Sequence, residues 1–109
     1  MKSNQTYINR LNDLLSTYQV HYQNLRSLHW NIQGSNFFEL HVKYEQLYNR
    51  VQVIIDELAE RILTLGSSPI SKLKDYLKNS LIEENEISYL GMHYDVLSQS
   101  SNIRQHFVF

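Results

Sequence analysis

A chain of 109 residues, 42% of them apolar, has room for one small domain spanning residues 1–109. Its net charge of -1 and pI near 6.5 give no electrostatic pull towards nucleic acid, and the absence of cysteine excludes disulfides and thiolate metal sites. No run approaches the ~18 to 20 continuous apolar residues of a membrane span, and the N-terminus lacks the apolar core of a signal peptide, so a soluble, cytoplasmic protein is expected.

Three glycines and one proline in the whole chain predict long, uninterrupted helices. From about Asn4 to Ile32 the apolar residues Ile8, Leu11, Leu14/Leu15, Tyr18, Tyr22, Leu25 and Leu28 recur in steps of three and four, which marks an amphipathic helix. Gly34 suits its end, because glycine takes the left-handed conformation without steric cost. Asn36 is then the expected N-cap of a second helix, with Glu39 completing a capping box. That helix runs to about Leu65 on a stripe through Leu40, Tyr44, Leu47/Tyr48, Val51, Ile54/Ile55, Leu58 and Ile62, and Gly66 with Pro69 closes it. A short helix capped by Ser71 is expected to Asn79, followed by a weaker helical pattern from about Ile82 to Leu97 that Gly91 interrupts. The expected architecture is all-α: two long antiparallel helices, a short connecting helix and an incomplete third long helix.

Liganding side chains concentrate on the second helix. His41/Glu45 and Asp56/Glu60 are both i,i+4 pairs, and at about 100° per residue all four fall within an arc of roughly 100°. His29, on the first helix, lies as far before the turn as His41 lies after it, so both should sit at one level of the hairpin. Glu45 and Asp56, however, are separated by about 16 Å along the axis at ~1.5 Å per residue. One metal does not reach both. Either there are two unrelated sites, or a second copy brings its Asp56 and Glu60 to the first copy's His29, His41 and Glu45; the second arrangement is the one we expect, since a two-fold axis near the middle of the helix generates it twice. A mixed imidazole and carboxylate set leans towards non-haem iron, with zinc or manganese as alternatives. His21, His93 and His106 have no partner geometry and are read as non-ligands.

The run from Leu28 to Pro69 also resembles the signature region of the Dps family, miniferritins with a ferritin-like four-helix fold. The resemblance rests on His29-Trp30-Asn31 with Gly34, Phe38 with Leu40-His41, Asp56 followed by Ala59-Glu60-Arg61, and Leu65-Gly66 with Pro69. It implies a ferroxidase centre with His29, His41 and Glu45 from one subunit and Asp56 and Glu60 from its two-fold mate. Many family members have Asp where this chain has Glu45, so altered spacing at a second metal position is expected. Trp30 is placed beside the centre, either taking up oxidising equivalents or anchoring the helix interface, and Arg61 is expected to pair with a carboxylate and orient it. The chemistry implied is oxidation of Fe(II) by hydrogen peroxide, with ferric iron stored inside a hollow dodecamer.

The resemblance fades after about Ile87, so a member lacking the usual C-terminal helix is expected. Some family members bind DNA through a Lys-rich N-terminal extension; here only Lys2 precedes Arg10, and Lys72, Lys74 and Lys78 read as a solvated face. DNA binding is therefore not expected. Two other readings stand beside the ferroxidase: an inactive remnant that only self-associates, and a non-catalytic DNA-compacting protein.

Overall fold

The computed structural model describes residues 2–85, with side chains from Asn4 onward. Helix α1 spans Lys2–Asn31, α2 spans Phe37–Thr64 and α3 spans Leu73–Asn79. The helical pattern predicted from Ile82 onward lies largely outside the described residues, and residues 82–85 themselves are not helical.

Helices α1 and α2 form a hairpin sealed by one apolar seam. Ile8, Leu11, Leu14, Leu15, Tyr18, Leu25 and Leu28 of α1 close on Tyr44, Val51, Ile55, Leu58 and Ile62 of α2. The α2 set steps by three, four or seven residues, which is the spacing that keeps one helix face turned to its neighbour. Among the described residues no helix is long and apolar enough to cross a membrane.

The helix ends divide into one success and two corrections. Gly66 has φ +86° and ends α2 as predicted: the Ser67 N–H donates to the Ile62 carbonyl and the Gly66 N–H to that of Leu63, the paired bonds of a Schellman motif. Asn36, in contrast, makes no side-chain cap bond, so the capping box with Glu39 does not form. Its φ of -98° and ψ of 19° are not the extended conformation a capping side chain needs to reach forward. A turn bond from the Phe37 N–H to the Gly34 carbonyl starts the helix instead. Ser71 is not the cap of α3 either; the extended residue Lys72 holds that place, and its carbonyl accepts the Asp75 and Tyr76 N–H groups.

The connector after α2 is tied to α1 by polar side chains. Asn12 Oδ1 accepts the Ile70 N–H, the Thr17 hydroxyl accepts the Leu81 N–H, and Asn24 clamps the Asn85 N–H and the Glu83 carbonyl. The strap thus runs back along α1 from its first half towards its second. Each tie satisfies a main-chain group that irregular structure would otherwise leave unpaired.

Tyr44 departs from the hydrogen-bonded pattern of the described interior. Its side chain is buried, its hydroxyl has no hydrogen-bond partner among the described residues, and burial pushes its pKa up to about 12. An unmade hydrogen bond on a buried group costs stability, so Tyr44→Phe should leave the protein equally stable or up to about 1 kcal/mol more stable at neutral pH. The alkaline limb should separate the two more clearly. A tyrosine held neutral in the folded state contributes fully below its unfolded pKa near 10, and that contribution disappears as pH rises towards 12. Urea titrations from pH 8 to 12 should therefore show a decline shallower in the Phe variant by on the order of 2 kcal/mol.

Candidate metal centre

The tight turn through Gly34, whose φ of +107° suits a residue without Cβ, brings the last turn and a half of α1 beside the start of α2. His29 and His41 meet there as the sequence spacing predicts. Their rings stack with centroids 3.6 Å apart and planes 22° from parallel. Each Nδ1 lies within hydrogen-bond distance of the other residue's main-chain carbonyl, 2.7 Å for His29 to His41 and 2.9 Å for the reverse. A carbonyl oxygen only accepts, so each Nδ1 must carry the proton and donate. In the neutral ring that leaves the lone pair on Nε2, the form in which imidazole ligates a metal.

The two rings are held from outside as well. Phe37 stacks on His41 at 5.0 Å, and Tyr48 meets His29 edge-on at 5.3 Å. Sequence periodicity assigned Tyr48 only to the core stripe and gave Phe37 no role. The available signal was position: Phe37 sits one helical turn before His41, where a ring can lie over it.

Glu45, one turn beyond His41, is exposed, with Oε1 3.7 Å from His29 Nε2. That gap is long for a hydrogen bond. It is short enough for one ion to touch both atoms at ordinary bond lengths of roughly 2.0–2.2 Å. The donor set, two neutral imidazoles and a carboxylate, suits a borderline divalent ion such as Fe(II).

Asp56 and Glu60 are not brought to these residues. They lie exposed further along α2, and among the described residues no three His, Asp or Glu side chains of a single chain converge closely enough to hold a metal. His29, His41 and Glu45 thus lie together beside the turn, and Asp56 and Glu60 lie displaced along the same helix. Trp30 is more than half exposed, with the Arg26 guanidinium 4.8 Å from its ring centre and 5.2 Å from that of Tyr22. Arg61 is exposed and makes no ion pair with a carboxylate among the described residues. His21 is buried in the hairpin, while His93 and His106 lie outside the described residues.

Comparison with known proteins settles the family. A ferritin-like domain model matches residues 8–107, nearly the whole chain. The Dps protein of Vibrio cholerae, whose structure is described as that of a ferritin-like diiron-carboxylate protein, is 42% identical. Its superposition gives a TM-score of 0.78 and covers 95% of this chain and 71% of the other. The chain belongs to the Dps family.

Dps of Listeria innocua, in crystals soaked with zinc, is 32% identical, with a TM-score of 0.85 over 90% of this chain and 68% of its own. The DNA protection during starvation protein of Porphyromonas gingivalis is 47% identical over 74 residues, which are 68% of this chain and 46% of that one. The chain spans about half the length of the curated relatives it matches. As a Dps-family miniferritin it has the all-helical ferritin-like fold expected from its sequence, with two long helices and a short third.

Proposed function

We propose that this miniferritin binds Fe(II) at a site shared between two copies of the chain and oxidises it with hydrogen peroxide, sequestering the ferric product. The observation that carries the reading is the reciprocal Nδ1 bonding of His29 and His41, which fixes both tautomers before any ion arrives. The protein's own contribution is therefore preorganisation: the two ring nitrogens need no tautomer change, and Phe37 and Tyr48 hold the rings in place. Asp56 and Glu60 of a partner subunit complete the site. Arg61 orients one of those carboxylates as a second-layer partner, and Trp30 lies at its edge.

Iron is the substrate. Two Fe(II) ions each lose one electron, the O–O bond of one peroxide breaks on receiving both, and two protons convert the two oxygens to water. Taking both electrons from metal avoids release of hydroxyl radical, and peroxide and free Fe(II) are removed together. The ferric product then mineralises within a hollow assembly of such two-fold pairs. We place this activity in the cytoplasm, where it would protect DNA by removing the reagents of damage rather than by coating it. A chain of net charge -1 has little counterion-release drive towards DNA.

Titration of the anaerobic protein with Fe(II) and peroxide tests the reading. Oxidation should consume about one peroxide per two Fe(II), the ratio the two-electron chemistry of a two-metal site requires. A one-to-one ratio with radical release, or the same rate in a His41→Ala chain, would rule out a ferroxidase centre at these residues.

A further inference from the structure

The exposed side of α2 carries more than carboxylates. Phe38 is 81% exposed and Leu63 57%, and Val42 and Val53 between them are half exposed. At about 100° per residue these four share one stripe, roughly 80° wide, with Glu45, Asp56 and Glu60. Large apolar side chains set in a row along a helix mark a contact face rather than a solvated one.

Three residue pairs on or beside this stripe are symmetric in sequence about the point between Arg50 and Val51. Phe38 lies as far before that point as Leu63 lies beyond it, His41 as far as Glu60, and Glu45 as far as Asp56. Two α2 helices packed antiparallel at a shallow angle of about 20°, with a two-fold axis at that point, would oppose all three pairs at once. Apolar then meets apolar, and imidazole and carboxylate meet carboxylate across a gap an ion can fill. A slip of one turn, about 5.4 Å, would set Phe38 against Ala59 in one direction or Ser67 in the other, and would replace the two kinds of ligand pair by one, His41 with Asp56 or Glu45 with Glu60. The complementarity singles out a second copy of this chain as the occupant.

We propose that Phe38 of each copy packs against Leu63 of the other, and that this reciprocal apolar clamp sets the register in which the shared site assembles. The proposal rests on the shared-site reading above and adds what holds its halves in alignment. Phe38 is also coupled to the ligands. Its ring meets Phe37 edge-on at 5.4 Å, and Phe37 stacks on His41. Covering Phe38 with Leu63 of a partner therefore braces the ring stack that presents the imidazole. Both residues are positioning residues; neither touches the reacting atoms.

The absence of cysteine makes cross-linking a clean test. Phe38→Cys and Leu63→Cys chains are mixed under reducing conditions, oxidised, and resolved on a non-reducing gel. A disulfide needs Cβ atoms within ~4.5 Å, so register is read directly. The expected result is a reducible covalent dimer from this mixture at roughly tenfold or more the yield from Phe38→Cys mixed with Ala59→Cys, the one-turn slip. Equal yields, a higher yield from the Ala59 mixture, or no covalent dimer in either would overturn the clamp. Fe(II) oxidation by the unmodified chain is measured alongside. Oxidation without the Phe38–Leu63 product overturns the clamp and leaves the shared-site reading standing; the product without oxidation upholds the clamp and removes the ferroxidase.

Discussion

An equimolar mixture of His29→Ala and Asp56→Asn chains is expected to recover about a quarter of the native Fe(II) oxidation, although neither chain is active alone. Loss of a direct ligand should lower each homogeneous variant by at least roughly 100-fold, since even outer partners of metal ligands cost ~10–100-fold. Random pairing about a two-fold axis makes half of the dimers hybrid, and each hybrid holds one site with both defects and one with neither. About a quarter of all sites are then native. His29→Ala mixed with His41→Ala provides the contrast. Both changes fall in the same half-site, so no pairing yields a native centre and the mixture should stay inactive. Stopped-flow absorbance of ferric product reads both mixtures. Equal recovery in the two, or none in the first, would mean that the site is not divided between chains.

Leu25→Ala should be the most damaging single change to the hairpin itself. Leu25 is fully buried on α1, in the seam against α2. Removing its branched end loses transfer energy and leaves a cavity, together about 2–5 kcal/mol. Against a total stability of roughly 5–15 kcal/mol for a single domain, that shifts a large share of molecules towards the unfolded state. Urea denaturation followed by circular dichroism should register the change as a lower midpoint with unchanged slope. Leu73→Ala is the matched control. Leu73 is largely exposed on α3, and its loss should stay within about 0.5 kcal/mol.

The fold was legible wherever apolar periodicity and glycine decided it. Ile8 to Leu28 and Tyr44 to Ile62 face each other as their spacing predicts, and Gly66 ends α2 by the motif glycine favours. Local polar signals were less dependable. Asn36 has a capping side chain but a backbone conformation that does not present it, and Ser71 lies one residue ahead of the actual cap, so chain geometry overrides residue preference. At the site, the meeting of His29 and His41 followed from their equal distance from the turn. Their tautomers did not, because the acceptors are main-chain carbonyls, which every residue carries and no sequence pattern marks. Asp56 and Glu60 were legible as a displaced pair on the face of Glu45. The apolar pair that flanks them became visible only through exposure, since Phe38 entered the sequence reading only as part of the family signature and Leu63 as an ordinary helix residue.

The strap along α1 bears on the order in which the chain assembles. Asn12, Thr17 and Asn24 are far apart in an extended chain and present their polar groups at the right intervals only when α1 is helical. Residues 70–85 therefore have nothing to dock on until α1 exists, and α1 gains its buried face from α2. The route runs from hairpin to strap. The strap, tied to α1 by side-chain bonds and packed on the core, among the described residues, through only Tyr76 and Ile82, is expected to open before the hairpin seam and to leave the paired imidazoles in place. On the proposed function, iron capture is therefore seated on the hairpin, the part of the molecule that does not depend on the strap.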